Sequence, residues 1–576
     1  MKLLWHIVRK DGARLRLPLG LWGLLLLAKL ALGAMLRAGG GADYIWFARL
    51  ELYINLCTGL GALMVYVLVA LLIHEDALGE ASAAWRTRPI SRARLLGAKL
   101  LGALLMFGVL PVLLSLPWWW VCGFGLRELG VAVLETLAWQ ALVVLPSLAL
   151  AVLSHNFGRY FTLTLAVIFF VALAGMLQLA YLPDPAQAPL PVRDSRFWVV
   201  LALLLAGIVG VVLHQFLTLR TWRSCALGLG ALALALASVS LWPWDVVTPA
   251  RLANPAAARG VTLASPWATL DRNSEHQPNN VRVQFAVRNV PDGWVALGYT
   301  AQLSWRGPEG TRLGAHGWVS GGTPQEKFAR SVHQVLQLPP ERPDAETVRW
   351  QAQRLAELRA RTGTSWVQGP PPARRPGEQA FTAYVNVKGY RGDELPAQLA
   401  EGELTTDHEL ARPVPLLDLP LKPGARRSQG ARSVRVTRIE PNPTKGHEAD
   451  LIVRAVETQP SDLLRWLVPM FRYGWGFKLD GTAGYWLVDR AQGQARWQTS
   501  MGMGPTVWVN AVQLTWARWD VRAPRVVRGG QWVTWPANWA DVVSLALVGY
   551  DQATPFQRTL PIERLEDPKA PAPETP

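Results

Sequence analysis

The sequence predicts an α-helical polytopic membrane domain followed by an extracytoplasmic, mostly β, sandwich-like region. Charged residues number 30 in the first 245 residues but 70 in the remaining 331. Continuous apolar runs also give way to period-two alternation after residue 245, and together these observations exclude a single soluble globular domain. The predicted segments are an amphipathic helix at 1–16, the membrane domain at 17–245, two β-rich domains at 246–400 and 401–565, and a disordered tail at 566–576.

Seven stretches of the first part are apolar enough to cross a bilayer, for which a helix needs about 20 residues. The first stretch is the weakest because Lys29 interrupts it, so the sequence leaves six or seven spans open. The stretches are Leu17–Leu36, Tyr53–Ile73, Leu96–Val121, Val131–Leu153, Phe161–Leu182, Phe197–Leu217 and Cys225–Leu241.

The distribution of basic residues predicts the orientation of these spans. In the short loops, thirteen Lys and Arg fall on the side of the N-terminus and five on the other side, and the more basic side is normally cytoplasmic. An odd number of spans then leaves the chain after Trp244 outside. We expect a multi-pass protein of a bacterial cytoplasmic (inner) membrane, with a cytoplasmic N-terminus and an extracytoplasmic C-terminal region. The tryptophans expected at the outer interface are Trp118, Trp119, Trp120, Trp242 and Trp244.

An amphipathic helix is predicted before the first span. From Lys2 to Lys10, four apolar side chains share one helical face and the basic side chains lie elsewhere. Such a helix lies along the membrane surface, and Gly12 is expected to end it. Cleavage of the first span as a signal peptide is disfavoured by the long charged region before it. The four apolar residues are Leu3, Leu4, Ile7 and Val8.

The loop between the second and third spans, residues 74–95, has a distinctive local pattern. Ala77 to Arg86 favours a helix, Pro89 cannot continue it, and Ser91 is suited to cap the helix of the third span. The pattern therefore predicts a short helix, a break and a new helix, acidic at its start and basic at its end.

The motif in this loop resembles that of a known family. It reads Trp85-Arg-Thr-Arg88-Pro89-Ile90-Ser91-Arg92, followed by Leu95-Leu96-Gly-Ala-Lys99-Leu-Leu. This is similar to the loop of bacterial ABC exporter permeases of the second type, and the basic helix before the first span fits the same family. The resemblance covers about residues 1–245 and is specific in the loop. The chain departs from the family's plain six-span form in its seventh predicted span and its large outer region.

The resemblance implies a transmembrane subunit that forms a homodimer or heterodimer of permeases and works with two copies of a separate cytosolic ABC ATPase. In this family the segment between spans two and three is the coupling helix, which receives the movement of the ATPase. The alternative for the basic residues is that they fix topology and bind anionic lipid. The coupling candidates are Glu75, Asp76, Glu80, Trp85, Arg86, Arg88, Pro89 and Arg92.

The sequence predicts no catalytic, cofactor-binding or metal-ligating motif. It contains no Gly-x-x-x-x-Gly-Lys-Ser/Thr loop, so ATP hydrolysis is expected on a partner. The cysteines, Cys57, Cys122 and Cys225, all lie in or beside apolar runs, which excludes a disulfide framework and zinc spacing. The net charge of +16 does not predict nucleic-acid binding, because the basic residues lie at membrane edges or are scattered.

Three charged or strongly polar residues inside the predicted spans are further candidates, because intramembrane ionisable groups are often functional. They are Lys29 in span one, Glu135 in span four and His214 in span six. Lys29 and Glu135 are expected at similar depth, where they either pair or extend separately to the nearest interface.

Alternating residues predict antiparallel strands in the second half, as in one or two β-sandwiches. A helix at 345–361 and a Pro-rich linker at 369–376 interrupt them. Sixteen of the 28 tryptophans lie here, either as core and cross-strand pairs or as a ligand platform. The predicted strands include Val281–Val287, Val295–Trp305, Ala380–Val387, Val434–Ile439, Leu451–Val456, Val507–Trp516 and Val542–Val548.

These observations favour a permease subunit of an ABC exporter that performs no covalent chemistry itself. An extracytoplasmic partner for the β-rich region is left open. Two alternatives are an ATP-driven protein that moves or signals to an outer partner without transporting a solute, and a membrane-anchored enzyme with an outer active site.

Overall fold

The structure of the protein is a computed structural model. The described residues are 2–40, 44–74, 91–181, 190–241, 258–271, 279–306, 312–321, 335–338, 349, 353, 357, 379–387, 402–442, 450–461, 482–490, 493–497, 501–521, 523, 525–528, 531–534, 538–562 and 564–566. Within these residues the N-terminal part is helical and the C-terminal part is mostly β.

Nine helices are described in the N-terminal part. Two π-helical segments, Leu36–Gly40 after α2 and Leu104–Val109 between α4 and α5, continue neighbouring helices. The helices are α1 Lys2–Arg14, α2 Arg16–Met35, α3 Tyr44–His74, α4 Arg92–Ala103, α5 Leu110–Val121, α6 Leu126–Leu153, α7 Phe157–Tyr181, α8 Leu190–Thr218 and α9 Thr221–Leu241.

Six helical segments of the described chain are long and apolar enough to cross a membrane, which is consistent with a multi-pass membrane protein. The fifth predicted span corresponds to α7, whose described apolar stretch, Phe157–Leu173, is shorter. Many large apolar side chains on these helices are exposed, as is typical of helices that face lipid. The six segments are Arg16–Ala38, Tyr44–His74, Arg92–Val121, Leu126–Leu153, Val199–Thr218 and Thr221–Ser238.

Contacts between helix ends define two opposite ends of the bundle. At one end, His74 of α3 lies 3.1 Å (Nε2 to Oγ) from Ser154, which follows α6. There Arg92 of α4 also donates to the carbonyl oxygen of Leu217 in α8 over 2.9 Å. We call this the loop end, because α3 ends and α4 begins there. Since α3 has 31 residues and is about 45 Å long, its first residue, Tyr44, marks the opposite end, which we call the β end.

The C-terminal part contains seventeen described strands and a short helix, α10, at Trp539–Val542. The strands are β1 Thr262–Asp271, β2 Asn279–Arg288, β3 Val295–Arg306, β4 Arg312–Gly321, β5 Gln379–Val387, β6 Glu403–Pro420, β7 Arg426–Gln429, β8 Arg432–Pro441, β9 Leu451–Pro460, β10 Thr482–Asp489, β11 Gln494–Trp497, β12 Met501–Val509, β13 Val512–Val521, β14 Arg525–Arg528, β15 Gln531–Thr534, β16 Val543–Pro561 and β17 Arg564–Glu566.

The described strands form one large sheet, one smaller sheet and a two-stranded ribbon. The large sheet has the order β11-β10-β16-β6-β3-β4-β5-β2-β1-β17, the smaller one β12-β13-β9-β8-β7, and the ribbon is β14-β15. Strands β6 and β16 pair along almost their whole lengths, from Glu403↔Pro561 to Pro420↔Ser544. The predicted boundary near residue 400 therefore falls between strands of one continuous sheet.

Two large hydrophobic clusters and a smaller one around Trp486 and Ala546 stabilise this part. The first is formed mainly by strands of the large sheet and includes Phe285, Phe381 and Phe556. The end of β16 also contacts the residues before β1, since Arg558 Nε donates to the carbonyl oxygen of Val261 over 2.9 Å. Burial lowers the pKa of the Arg558 guanidinium. The second cluster lies between the large and small sheets, with Leu419, Val436, Trp519 and Leu545 among its members.

Most predicted strands with described residues are confirmed, with one correction. Val507–Trp516 is not a single strand, because a tight turn at Asn510 and Ala511 divides it into the end of β12 and the start of β13. Both turn residues have positive φ, 43° and 61°, as a two-residue hairpin turn of type I′ requires. The predicted helix at 345–361 has only three described residues, all helical, and the linker at 369–376 and residues 567–576 lie outside the described chain.

Candidate functional site

The structure describes only the two ends of the predicted coupling segment, namely His74 and residues 91–95. Glu75, Asp76, Glu80, Trp85, Arg86, Arg88 and Pro89 lie outside the described residues. Ser91 is extended and accepts a hydrogen bond from the backbone N–H of Arg94 (3.4 Å), which confirms the predicted cap of α4. Arg92, the first residue of α4, is exposed and donates to Leu217 of α8. This candidate therefore joins the base of the loop to a third helix.

Helix α1 packs on α4 through a buried ion pair. Lys99 Nζ lies 2.9 Å from Asp11 Oδ2, and the two side chains are 2% and 1% exposed. Val8 is buried beside Gly102, where a Cβ would approach the Val8 side chain at 3.9 Å. Because both side chains are shielded from water, each charged group is stabilised mainly by the other. Removal of either one is therefore expected to destabilise the fold. The segment that follows the loop and the N-terminal helix are thereby joined into one packed unit.

This packing adds two details to the sequence interpretation. Helix α1 ends at Arg14, two residues beyond the predicted end near Gly12, and a Cβ added to Gly12 would lie 3.4 Å from the Met106 side chain. Lys99 is one of the thirteen basic residues whose distribution predicted the orientation. Its ammonium group does not face the solvent but is buried in the ion pair with Asp11. The sequence did not identify Asp11, which is 88 residues from Lys99.

A second polar cluster lies near the loop end between α3, α6 and α7. His74 Nε2 lies 3.1 Å from both Ser154 Oγ and the carbonyl oxygen of Ala151. One turn into α7, the Tyr160 hydroxyl donates to the carbonyl oxygen of Tyr66 over 3.0 Å, and the two rings stack with centroids 4.5 Å apart. These contacts fix the end of α3, from which the loop departs, against α6 and α7.

The three intramembrane candidates lie in different places. His214 Nδ1 lies 2.8 Å from Ser224 Oγ, so it links the end of α8 to α9 at the loop end. Glu135 is buried on α6. Lys29 is half-buried on α2, close enough to Cys57 of α3 for an electrostatic interaction. The pairing of Lys29 with Glu135 stays a prediction.

At the β end, the turn between β12 and β13 enters a socket formed by helices. Trp118 Nε1 donates to the carbonyl oxygen of Val509 over 3.0 Å, and Trp119 Nε1 donates to that of Asn510 over 2.6 Å. The Asn510 side-chain amide donates to Ser115 Oγ over 2.8 Å. These hydrogen bonds pair the indole N–H groups with the carbonyl groups of the turn, which would be costly to bury without a partner.

Apolar packing surrounds these hydrogen bonds. One cluster combines Leu36, Phe47 and Trp119 of the helical part with Val509 and Leu514 of the β part. A Cβ added to Gly33 of α2 would lie only 2.9 Å from Val509 Cγ1, so the strand and the helix approach each other closely here. The helical and β parts therefore share one core at this junction.

The junction also corrects the interpretation of the three consecutive tryptophans. Trp118 and Trp119 are buried and bonded to the β part, whereas Trp120 is 83% exposed. Of the three, Trp120 retains the exposure expected of an interfacial residue. Trp242 and Trp244 lie outside the described residues.

Neither a protein-family model nor a curated protein matches this chain. A proposal about function therefore depends on the loop motif, the apolar helices and the contacts at the two ends of the bundle.

Proposed function

We propose that this chain is the membrane-spanning permease subunit of an ATP-binding-cassette transporter, an exporter of the bacterial inner membrane. A separate cytosolic ATPase, present in two copies, drives it through the loop at 74–95. The observation that carries the proposal is the Trp85–Lys99 motif, in which a specific Arg-Pro-Ile-Ser turn follows a short predicted helix. A signal for topology alone requires charge but not this turn.

The contacts at the loop end support a mechanical role for the motif. Ser91 caps α4, Arg92 contacts α8, and Lys99 joins α4 to α1. A force applied to the loop would reach three helices within about two turns of α4. Closure of the ATPase pair would thus move these helices together and shift the spans between two arrangements.

The position of the β part also supports the proposal. The chain leaves α3 for the loop at His74, whereas the β part contacts the bundle near Tyr44, where the rings of Tyr44 and Trp516 lie 5.4 Å apart. The loop and the β part are therefore attached to opposite ends of the same helix. In the proposed orientation the ATPase acts on the cytosolic side and the β part shapes the exit on the other side.

The proposal is tested by isolating the tagged chain in mild detergent and assaying for a bound ATPase. We expect Arg88→Glu and Pro89→Gly to abolish export and stimulated ATP hydrolysis without preventing membrane insertion. Arg94→Glu is the matched control, because Arg94 is an exposed arginine of α4 outside the candidate set. Isolation without an ATPase, or normal export by both loop variants, would contradict the proposal.

A second function is favoured by the shared core at the β end, namely an ATP-driven protein that moves an outer partner without transporting a solute. The turn at Asn510 is bonded to α5 through Trp119, so a displacement of the helices would be transmitted to the β part. Stimulation of the ATPase by an outer protein, with no response to candidate solutes, would favour this function over export.

A further inference from the structure

Three arginines meet where α2 ends against the small sheet, and a fourth, Arg427, is the next residue along β7. Arg37 lies in the π-helical end of α2, Arg426 and Arg427 lie on β7, and Arg435 lies on β8. We call this group the arginine corner. It belongs to neither the loop end nor the hydrogen bonds of the β12–β13 turn, and the proposed function does not use it.

The contacts show that Arg37, Arg426 and Arg435 converge. Arg435 donates through its guanidinium to the carbonyl oxygen of Ala38, one residue beyond Arg37. Arg426 is the direct cross-strand partner of Arg435. Arg37 and Arg426 lie close enough together for electrostatic repulsion, and both lie close to the buried Cys122 that follows α5.

Within the described chain, none of these four arginines forms an ion pair. Like charges directly opposite each other on paired strands are destabilising, and the Nε of Arg37 is buried without a hydrogen-bond partner. Other arginines of the β part differ, since Arg432 pairs with Glu457 at 3.2 Å and Arg490 with Asp418 at 2.6 Å. The arginine corner is therefore a concentration of positive charge that an anion would stabilise.

Exposed apolar surface lies next to this charge. Trp120, Val121 and Leu126 are 83%, 61% and 91% exposed around the α5–α6 connection. Gly123 in this connection contacts the β7–β8 turn, where a Cβ added to it would lie 3.1 Å from the carbonyl oxygen of Gly430. The arginine corner and this exposed apolar surface therefore lie side by side at the ends of apolar helices.

We propose that the arginine corner binds the phosphodiester headgroup of an anionic phospholipid, with its acyl chains against the apolar surface around Trp120. Arginine is suited to phosphate because its planar guanidinium donates two parallel hydrogen bonds. A free phosphate anion offers the same headgroup chemistry but has no acyl chain to cover Trp120 and Leu126. The lipid therefore accounts for both halves of the surface.

The test is a titration of the purified full-length chain in neutral detergent with phosphatidylglycerol, phosphatidylcholine or inorganic phosphate. Binding is followed by the unfolding temperature and by native mass spectrometry. We expect phosphatidylglycerol to raise the unfolding temperature and the other two to have little effect. Arg426→Gln/Arg435→Gln, which removes the two cross-strand partners, should weaken phosphatidylglycerol binding roughly 30-fold, because each arginine near an anionic surface contributes about 1 kcal/mol.

Arg306→Gln/Arg412→Gln is the matched control, since it removes two exposed arginines of the large sheet and should leave the affinity unchanged. Arg435→Gln gives a second test at the residue that contacts α2. Equal stabilisation by inorganic phosphate would overturn the assignment to a lipid. Equal binding of phosphatidylglycerol and phosphatidylcholine, or no loss of affinity in either arginine-corner variant, would overturn the site.

Discussion

Both ends of the helical bundle have an apolar core, but their buried polar contacts differ. At the loop end, α1 packs on α4 through Val8 beside Gly102 and through a buried ion pair between Asp11 and Lys99. At the β end, the junction combines apolar packing with several neutral hydrogen bonds around Asn510. A buried ion pair fails when either charge is lost, whereas a packed junction loses stability in smaller steps.

Under the proposed function, the two ends would contribute differently to a movement of the helices. At the loop end, one buried pair of charges is added to an apolar core that includes Leu95, Leu96 and Phe216. At the β end, the apolar core continues into the β part and would transmit a displacement over a wider surface. Removing single contacts at each end tests this comparison.

The largest effect is expected at the ion pair. Lys99→Met retains the length of the side chain but removes the ammonium group that faces the buried Asp11 carboxylate, which should lower the free energy of unfolding by about 3–5 kcal/mol. The measurement is thermal unfolding of the purified protein in detergent. Asp11→Leu/Lys99→Met should recover most of the loss, because an apolar pair needs no hydration.

Arg94→Met provides the control for Lys99→Met, because Arg94 is exposed on the same helix and such a change usually alters stability by less than about 0.5 kcal/mol. If Lys99→Met were no more destabilising than Arg94→Met, the ion pair would not be what holds α1 to α4. The contrast between the two ends would then have no basis.

An intermediate effect is expected where α2 meets β12. Gly33→Leu would force side-chain atoms into the space occupied by Val509, whose Cγ1 lies 2.9 Å from the position of an added Cβ. Overpacking of this kind costs about 1–3 kcal/mol, again measured as a lower unfolding temperature. On the same helix, Gly23→Leu is the control, because a Cβ there meets nothing within 4 Å. Equal effects of the two changes would refute close packing at Gly33.

Features that depend on residues close together in the sequence were predicted better than features that depend on residues far apart in it. The apolar runs predicted the helices, since about 20 apolar residues define a span without knowledge of the neighbours. Their ends were less accurate: α3 begins at Tyr44 rather than Tyr53, because a helix can continue through polar residues such as Arg49 and Glu51. The alternation of residues predicted most strands for the same local reason.

Features that depend on distant residues were not predicted. Nothing near Asp11 in the sequence indicates Lys99, because the pair exists only once α1 folds against α4. The turn at Ala511 was also missed, because alanine seldom adopts positive φ and the usual glycine signal is absent. Trp118 and Trp119 were interpreted as interfacial because their acceptors, Val509 and Asn510, are 391 residues away.

The smallest effect is expected for one hydrogen bond of the junction. Trp119→Phe retains an aromatic ring but removes the donor to the carbonyl oxygen of Asn510, which should lower the free energy of unfolding by about 1 kcal/mol. Trp120→Phe is the control, because that side chain is 83% exposed. A loss at Trp119 as large as that of Lys99→Met would show that the β end also depends on a single polar contact.

The most direct test is to determine which side of the membrane each end of the bundle faces. In a variant whose three native cysteines have been replaced, Arg94→Cys reports on the loop end and Lys422→Cys, in the exposed turn before β7, on the β part. We predict that a membrane-impermeant maleimide labels Lys422→Cys from outside the inner membrane and labels Arg94→Cys only after that membrane is permeabilised. Labelling of Arg94→Cys from outside, or of both positions from the same side, would contradict the account.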